Sequence, residues 1–181
     1  TIGISALSVY LPRSRISRSA IADAQRWAVP TLAARGKGTI SAANWDEDSV
    51  TMAHEAARRV TLTHTPTALQ FCSTSMPFAD RSHAALLNEA LQLDSHNRTQ
   101  DLGACARAAS SALYAELAQG QRGTLIMAAE KRLAKPDSTQ EISQGDAAAA
   151  LITGSDDLLA EYVAGRTFAT DFVDHYRRAD S

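Results

Sequence analysis

Cysteine is scarce in this chain: Cys72 and Cys105 are its two, in 181 residues. One pair cannot build the disulfide framework of a small secreted domain, so a reduced, cytoplasmic setting is the reading. No apolar run approaches the ~20 residues that a membrane-spanning helix needs. The opening TIGISALSVYLP lacks a basic segment ahead of its apolar stretch and does not read as a secretory signal. An excess of one charge is missing too. The 18 Lys and Arg nearly balance 20 Asp and Glu, a net charge of −2, so no electrostatic footprint points to nucleic acid or an anionic membrane. There is no Walker-type loop, no GxGxxG, no pair of carboxylates, and the five histidines show no metal spacing.

What the chain has is alanine, 35 residues of it, within a composition that is 45% hydrophobic and 21% charged. That balance excludes wholesale disorder, and the length suits one sizeable core. Small side chains favour close approach of layers. Strand and helix signals alternate. Ile2–Leu11 reads as a strand ending at Pro12, Ser17–Trp27 as a helix, and Pro30–Trp45 as a loop or weak helical piece. Asp46–Leu62 is the clearest helix, with Asp46 or Asp48 to cap it and a stripe of Val50, Ala53, Ala57 and Val60. Further on, strands are predicted at 68–74, 98–102, 123–129, 146–153 and 158–170, and helices at 82–93 and 105–119. The tail FVDHYRRADS carries no clear signal. The alternation predicts an α/β fold with a largely parallel sheet, and the late strands in succession predict an antiparallel edge.

Cys105 stands where a strand turns into a helix. A helix start offers free N–H groups and a positive potential, which suit a thiolate nucleophile and an oxyanion. A small buried hydrophobe is the competing reading, and it is the one taken for Cys72, in mid-strand. The helix after Cys105 is small on every face (Ala106, Ala108, Ala109, Ser110, Ser111, Ala112, Ala115), as suits packing between two sheets. Ser73, Thr74 and Ser75 end a strand at the edge where α/β proteins gather ligands. The histidines, His83 among them, read as solvent-facing or capping.

Five segments, in order, resemble the thiolase superfamily, in its 3-hydroxy-3-methylglutaryl-CoA synthase-like and ketoacyl-ACP synthase III-like branch. They are GISALSVYLPRSRI, WDEDSVTMAHEAARR, DLGACARAASSALYAEL, AAEKRLAKPDS with QGDAAAALITG, and DFVDHYRRAD. The resemblance implies one βαβαβαββ half of a five-layer αβαβα fold, an N-terminal half spanning 1–181 that a second polypeptide completes. It makes Cys105 the nucleophile of an acyltransferase or condensing enzyme. Acyl-CoA or an acyl-carrier protein supplies the thioester substrate, and no cofactor or metal is called for. The catalytic His would come from the second chain, and two such pairs would associate. Hydroxymethylglutaryl-CoA synthases carry a catalytic Glu after the strand at 68–74; Ser75 stands at that general-base position here, a candidate pocket residue. The alternative function is a non-catalytic thiolase-like scaffold subunit of a hetero-oligomeric complex.

Overall fold

Two continuous apolar runs make the centre of the sheet. The five residues of strand β4 (Ala68–Cys72) are all buried, and β6 (Thr124–Glu130) is buried over its first four. Strands covered on both faces lose the alternation of a half-exposed strand. The computed structural model describes residues 1–103 and 105–170. Before β4 come β1 (Gly3–Tyr10), β2 (Ser14–Ser17), α1 (Arg18–Ala24), a 3-10 turn (Pro30–Arg35), β3 (Thr39–Ala42) and α2 (Ser49–Thr61). After it come α3 (His83–Ala90), β5 (Arg98–Leu102), α4 (Ala108–Ala118), β6, α5 (Thr139–Ser143), β7 (Ala147–Gly154) and β8 (Ala160–Glu161).

The main sheet has the order β5-β4-β6-β7-β1-β8. β4 runs parallel to β5 and β6, whereas β7 is antiparallel to both β6 and β1, and β8 is antiparallel to β1. The sheet is therefore mixed, not largely parallel. The antiparallel strands are half of it rather than an edge, because β1 returns across the whole chain to pair with β7.

Side chains alternate between the two faces. Leu69, Phe71, Leu125, Met127, Ala148, Ala150 and Ile152 pack with α2 and α3 in the larger core. Cys72 and Ile126 face the other way, onto Ala108 and Ala112 of α4. Helix α4 covers only part of that second face. Beyond it, Leu7 lies opposite Leu151 and Val9 opposite Ala149, and Leu7 and Val9 are 56% and 54% exposed.

Helix α2 opens on Asp48, whose carboxylate accepts from Val50 N and Thr51 N while Thr51 returns a bond to the Asp48 N–H. This reciprocal cap settles the choice between Asp46 and Asp48. Where a loop or weak helical piece is predicted at 30–45, the structure adds β3, which closes a two-stranded sheet with β2. The strand predicted at 158–170 shrinks to β8, and α5 occupies a stretch for which no element is predicted. The DFVDHYRRAD segment lies outside the described residues. Among the described residues no helix is long and apolar enough to cross a membrane.

Candidate active site

Strand β5 ends at Leu102, and the chain must reverse to lay α4 back across β4 and β6. Cys105 sits on that reversal, exposed. Its carbonyl accepts the Ala108 N–H at 3.2 Å, which turns the backbone into the helix. The helix begins at Ala108, three residues later than predicted, with Arg107 as an N-cap that makes no side-chain bond. Cys105 thus precedes the helix instead of opening it. Gly103 faces the Ser73 carbonyl and the Met76 side chain at ordinary contact distance. A groove of about 450 Å³ begins at Cys105 and Leu102 and continues beside Ala108 and Ala112 along α4.

Cys72 lies nearby on β4 but in the core, 3% exposed. Burial pushes its thiol up to about 12, and the potential of Cys105 adds to the rise. It stays a thiol at neutral pH, in keeping with the structural reading of Cys72, and the two cysteines differ in access.

Ser75 follows β4 and is tied in on every side. Its hydroxyl donates to Glu130 at 3.1 Å and accepts from the Lys131 N–H at 2.8 Å. Its carbonyl accepts the Ser49 hydroxyl at 2.8 Å. The Glu130 carboxylate also takes the Thr74 N–H and the Thr74 hydroxyl, each at 2.8 Å. This carboxylate binds the ends of β4 and β6 together, and Ser75 does not line the groove beside Cys105. Lys131 reaches on to the carbonyls of Asn44 and Glu47. The Glu47 carboxylate accepts from Asn44 N and from the Tyr10 hydroxyl. Those bonds lower the Glu47 carboxyl below its usual range, chiefly through the Asn44 N–H, and the same carboxylate raises the Tyr10 phenol.

His83 stands at the start of α3 but does not face solvent: it is 2% exposed. Its ring Nδ1 lies 3.0 Å from Asp101, and its Nε2 accepts the Phe78 N–H at 3.1 Å. Asp101 also accepts the His83 and Ala84 N–H groups at 2.7 and 2.6 Å, so it serves as the anion at the start of α3. The loop after β4 and the strand leading to Cys105 are thereby fixed to each other. Sequence reasoning missed Glu130, His83 and Asp101 as a framework. The available signal was a carboxylate at or next to the last residue of the central strand β6 and of the edge strand β5, on the side of the sheet where sites form.

The fold recurs in solved structures. A 3-oxoacyl-(acyl-carrier-protein) synthase III superposes with a TM-score of 0.76 over 94% of this chain and 55% of that one, at 20% identity. The curacin-pathway HMG synthase in complex with acetyl donor-ACP gives 0.71 over 86% of this chain and 42% of that one, at 22% identity. In sequence, the hydroxymethylglutaryl-CoA synthase of Aeropyrum pernix is 31% identical over 97% of this chain and 52% of that protein. The fold of this chain is that of the thiolase superfamily. Within that superfamily it fits the N-terminal half of the fold, and it spans about half the length of the curated relatives it matches. No protein-family model matches it. The other curated relatives, from Caldivirga and Pyrobaculum species, are likewise named hydroxymethylglutaryl-CoA synthases.

Proposed function

We propose that this chain is the nucleophile-bearing half of an acyl-transferring condensing enzyme. The observation that carries the reading is Cys105, an exposed thiol at the mouth of a groove on the β5–α4 reversal. The Cys105 sulfur attacks the carbonyl carbon of an acyl thioester. The new S–C bond forms as the bond to the carrier sulfur breaks, and the thiol proton leaves with the released CoA or carrier thiol. The Cys105 backbone N–H, with a donor from the second half, holds the oxyanion. A carbon nucleophile then takes the acyl group.

The second half of the fold supplies the catalytic His. The exposed Leu7 and Val9, beside the partly buried Leu151, support this, since exposed apolar patches mark surfaces that another body covers. Two such pairs then form the working assembly, in the cytoplasm, where a free thiol persists. Both CoA and carrier-protein thioesters suit the site. A complex with acetyl donor-ACP is known for the curacin-pathway HMG synthase, and the curated relatives are named for a CoA thioester.

The test is intact-mass analysis of the complete assembly after incubation with short acyl-CoAs. One acyl group per chain is expected, mapped to Cys105 and absent from Cys105→Ala. Label that persists in that variant, or that maps to Cys72, overturns the assignment. The second reading is a scaffold subunit without chemistry. It is favoured by Cys105 preceding α4 and by Ser75 standing where a carboxylate is expected. Complete absence of label with every thioester supports it.

A further inference from the structure

The groove that begins at Cys105 changes character along its length. β5 runs toward Cys105 and α4 runs away from it, so Arg98 at the start of β5 lies beside Glu116 near the end of α4, 3.5 Å apart. From Ala108 to Glu116 the helix advances about 12 Å at ~1.5 Å per residue. Leu102, Ala108 and Ala112 line the near end, and Gln70, Arg98 and Glu116 line the far one.

The far end is a built polar site. Glu116 and Gln70 are 6% and 5% exposed. Gln70 Nε2 donates to Glu116 Oε1 at 2.7 Å, and the Thr124 hydroxyl donates to Glu116 Oε2 at 2.7 Å. The bond to Glu116 fixes which way the Gln70 amide points, because the reversed amide would set two acceptors against each other. Gln70 Oε1 is left buried with no donor among the described residues. A buried acceptor without a donor is costly, so a ligand that brings one gains what the protein alone forgoes. Arg98 already balances the Glu116 charge, which favours a neutral donor over a cation.

We propose that this groove selects medium-length acyl groups that carry a hydroxyl near the end remote from the thioester, with Gln70 and Glu116 as specificity-determining residues. This rests on the reading of Cys105 as the acylated residue. With the acyl carbon on Cys105, the chain passes Ala108 and Ala112, and its hydroxyl donates to the Gln70 amide oxygen.

The experiment compares decanoyl and ω-hydroxydecanoyl thioesters in acylating Cys105 of the complete assembly. A roughly 10-fold higher kcat/KM for the hydroxylated chain is expected, carried mainly by KM. Gln70→Met should abolish the preference. Arg98→Met, a change at an exposed side chain, should leave Glu116 unbalanced and move the preference to the ω-amino chain. Equal handling of the two chains with rapid acylation overturns the selectivity and leaves the role of Cys105 standing. Should no thioester acylate Cys105, calorimetry of the Cys105→Ala assembly with free decanoate and ω-hydroxydecanoate decides separately. Tighter binding of the hydroxy acid upholds the site. Equal binding, or none because a second copy of the chain fills the groove, overturns it.

Discussion

A thiol reacts according to its access and its tendency to ionise, and the two cysteines of this chain sit at opposite ends of the first scale. Cys105 is exposed, whereas Cys72 is buried with its thiol raised from an ordinary value of 9.0 to about 12. Iodoacetamide should therefore alkylate Cys105 alone in the folded assembly, and the second site should appear only after unfolding, read by peptide mass mapping. Because the folded value lies above the unfolded one, the stability due to the buried thiol is complete below about 9 and fades as pH climbs through about 12. Selective labelling should thus hold in mildly alkaline buffer; labelling of Cys72 in the folded state would show that the β4–α4 packing opens. Ser75 leads to a different expectation. A hydroxyl that donates to Glu130 and accepts from Lys131 is no general base. General acid–base help is worth ~10²–10⁴-fold, so the assembly should form hydroxymethylglutaryl-CoA from acetyl-CoA and acetoacetyl-CoA at a rate lower by about that factor than a synthase with its carboxylate. Robust product in a coupled assay would mean another group has taken the role. The place of Cys105 between β5 and α4 was legible in the sequence because the turn from strand to helix leaves a local mark. Glu130 was not, since its bonds to Thr74 and Ser75 span 55 or 56 residues and nothing local announces them.

Helices announced themselves in proportion to how much of their stability is local. α2 carries its own start signal in Asp48 and Thr51 and its own apolar stripe, and its observed bounds fall inside the predicted ones. Replacing Asp48 with Ala removes two bonds to free N–H groups and should cost about 1 kcal/mol, within a range of about 0.5–2, measured by denaturant unfolding. Asn at the same position should restore most of it; no loss in Asp48→Ala would mean that packing alone sets the helix start. α4 is the opposite case. It has no side-chain cap, and its small residues are chosen by what lies across from them, so its first turn was placed three residues early. The β2–β3 pair was invisible for a related reason. Ser17 pairs with Thr39 across an intervening helix, each strand has four residues, and β2 is exposed throughout. No apolar alternation and no tight turn marks such a pairing. The burial of His83 was not legible because its partner Asp101 lies 18 residues away, on a strand that is adjacent only once the sheet has formed.

At the scale of the whole molecule, the sheet has one finished face and one unfinished face. α2 and α3 bury the first, and α4 covers only the β4–β6 side of the second. Leu7 and Val9 on β1 stand open there, beside the partly buried Leu151 of β7. Apolar surface returns about 25 cal/mol per Å² when removed from water, so a bare strip next to a helix of small residues is a strong drive toward association. The isolated chain should therefore self-associate, and co-expression with a polypeptide carrying a second thiolase-type half should give a tight, defined pair instead. That contact should exceed the ~2,000 Å² at which obligate interfaces begin. Sedimentation velocity separates the cases. Leu7→Lys with Val9→Lys sharpens the test, because both side chains are already solvated in the isolated chain and their charge would enter only the covered face of the pair. The double variant should leave the chain folded by circular dichroism, reduce its self-association, and abolish pairing. A wild-type chain that sediments as a monomer and unfolds cooperatively would show that the open face needs no cover, and the second half as source of the catalytic His would fall with it.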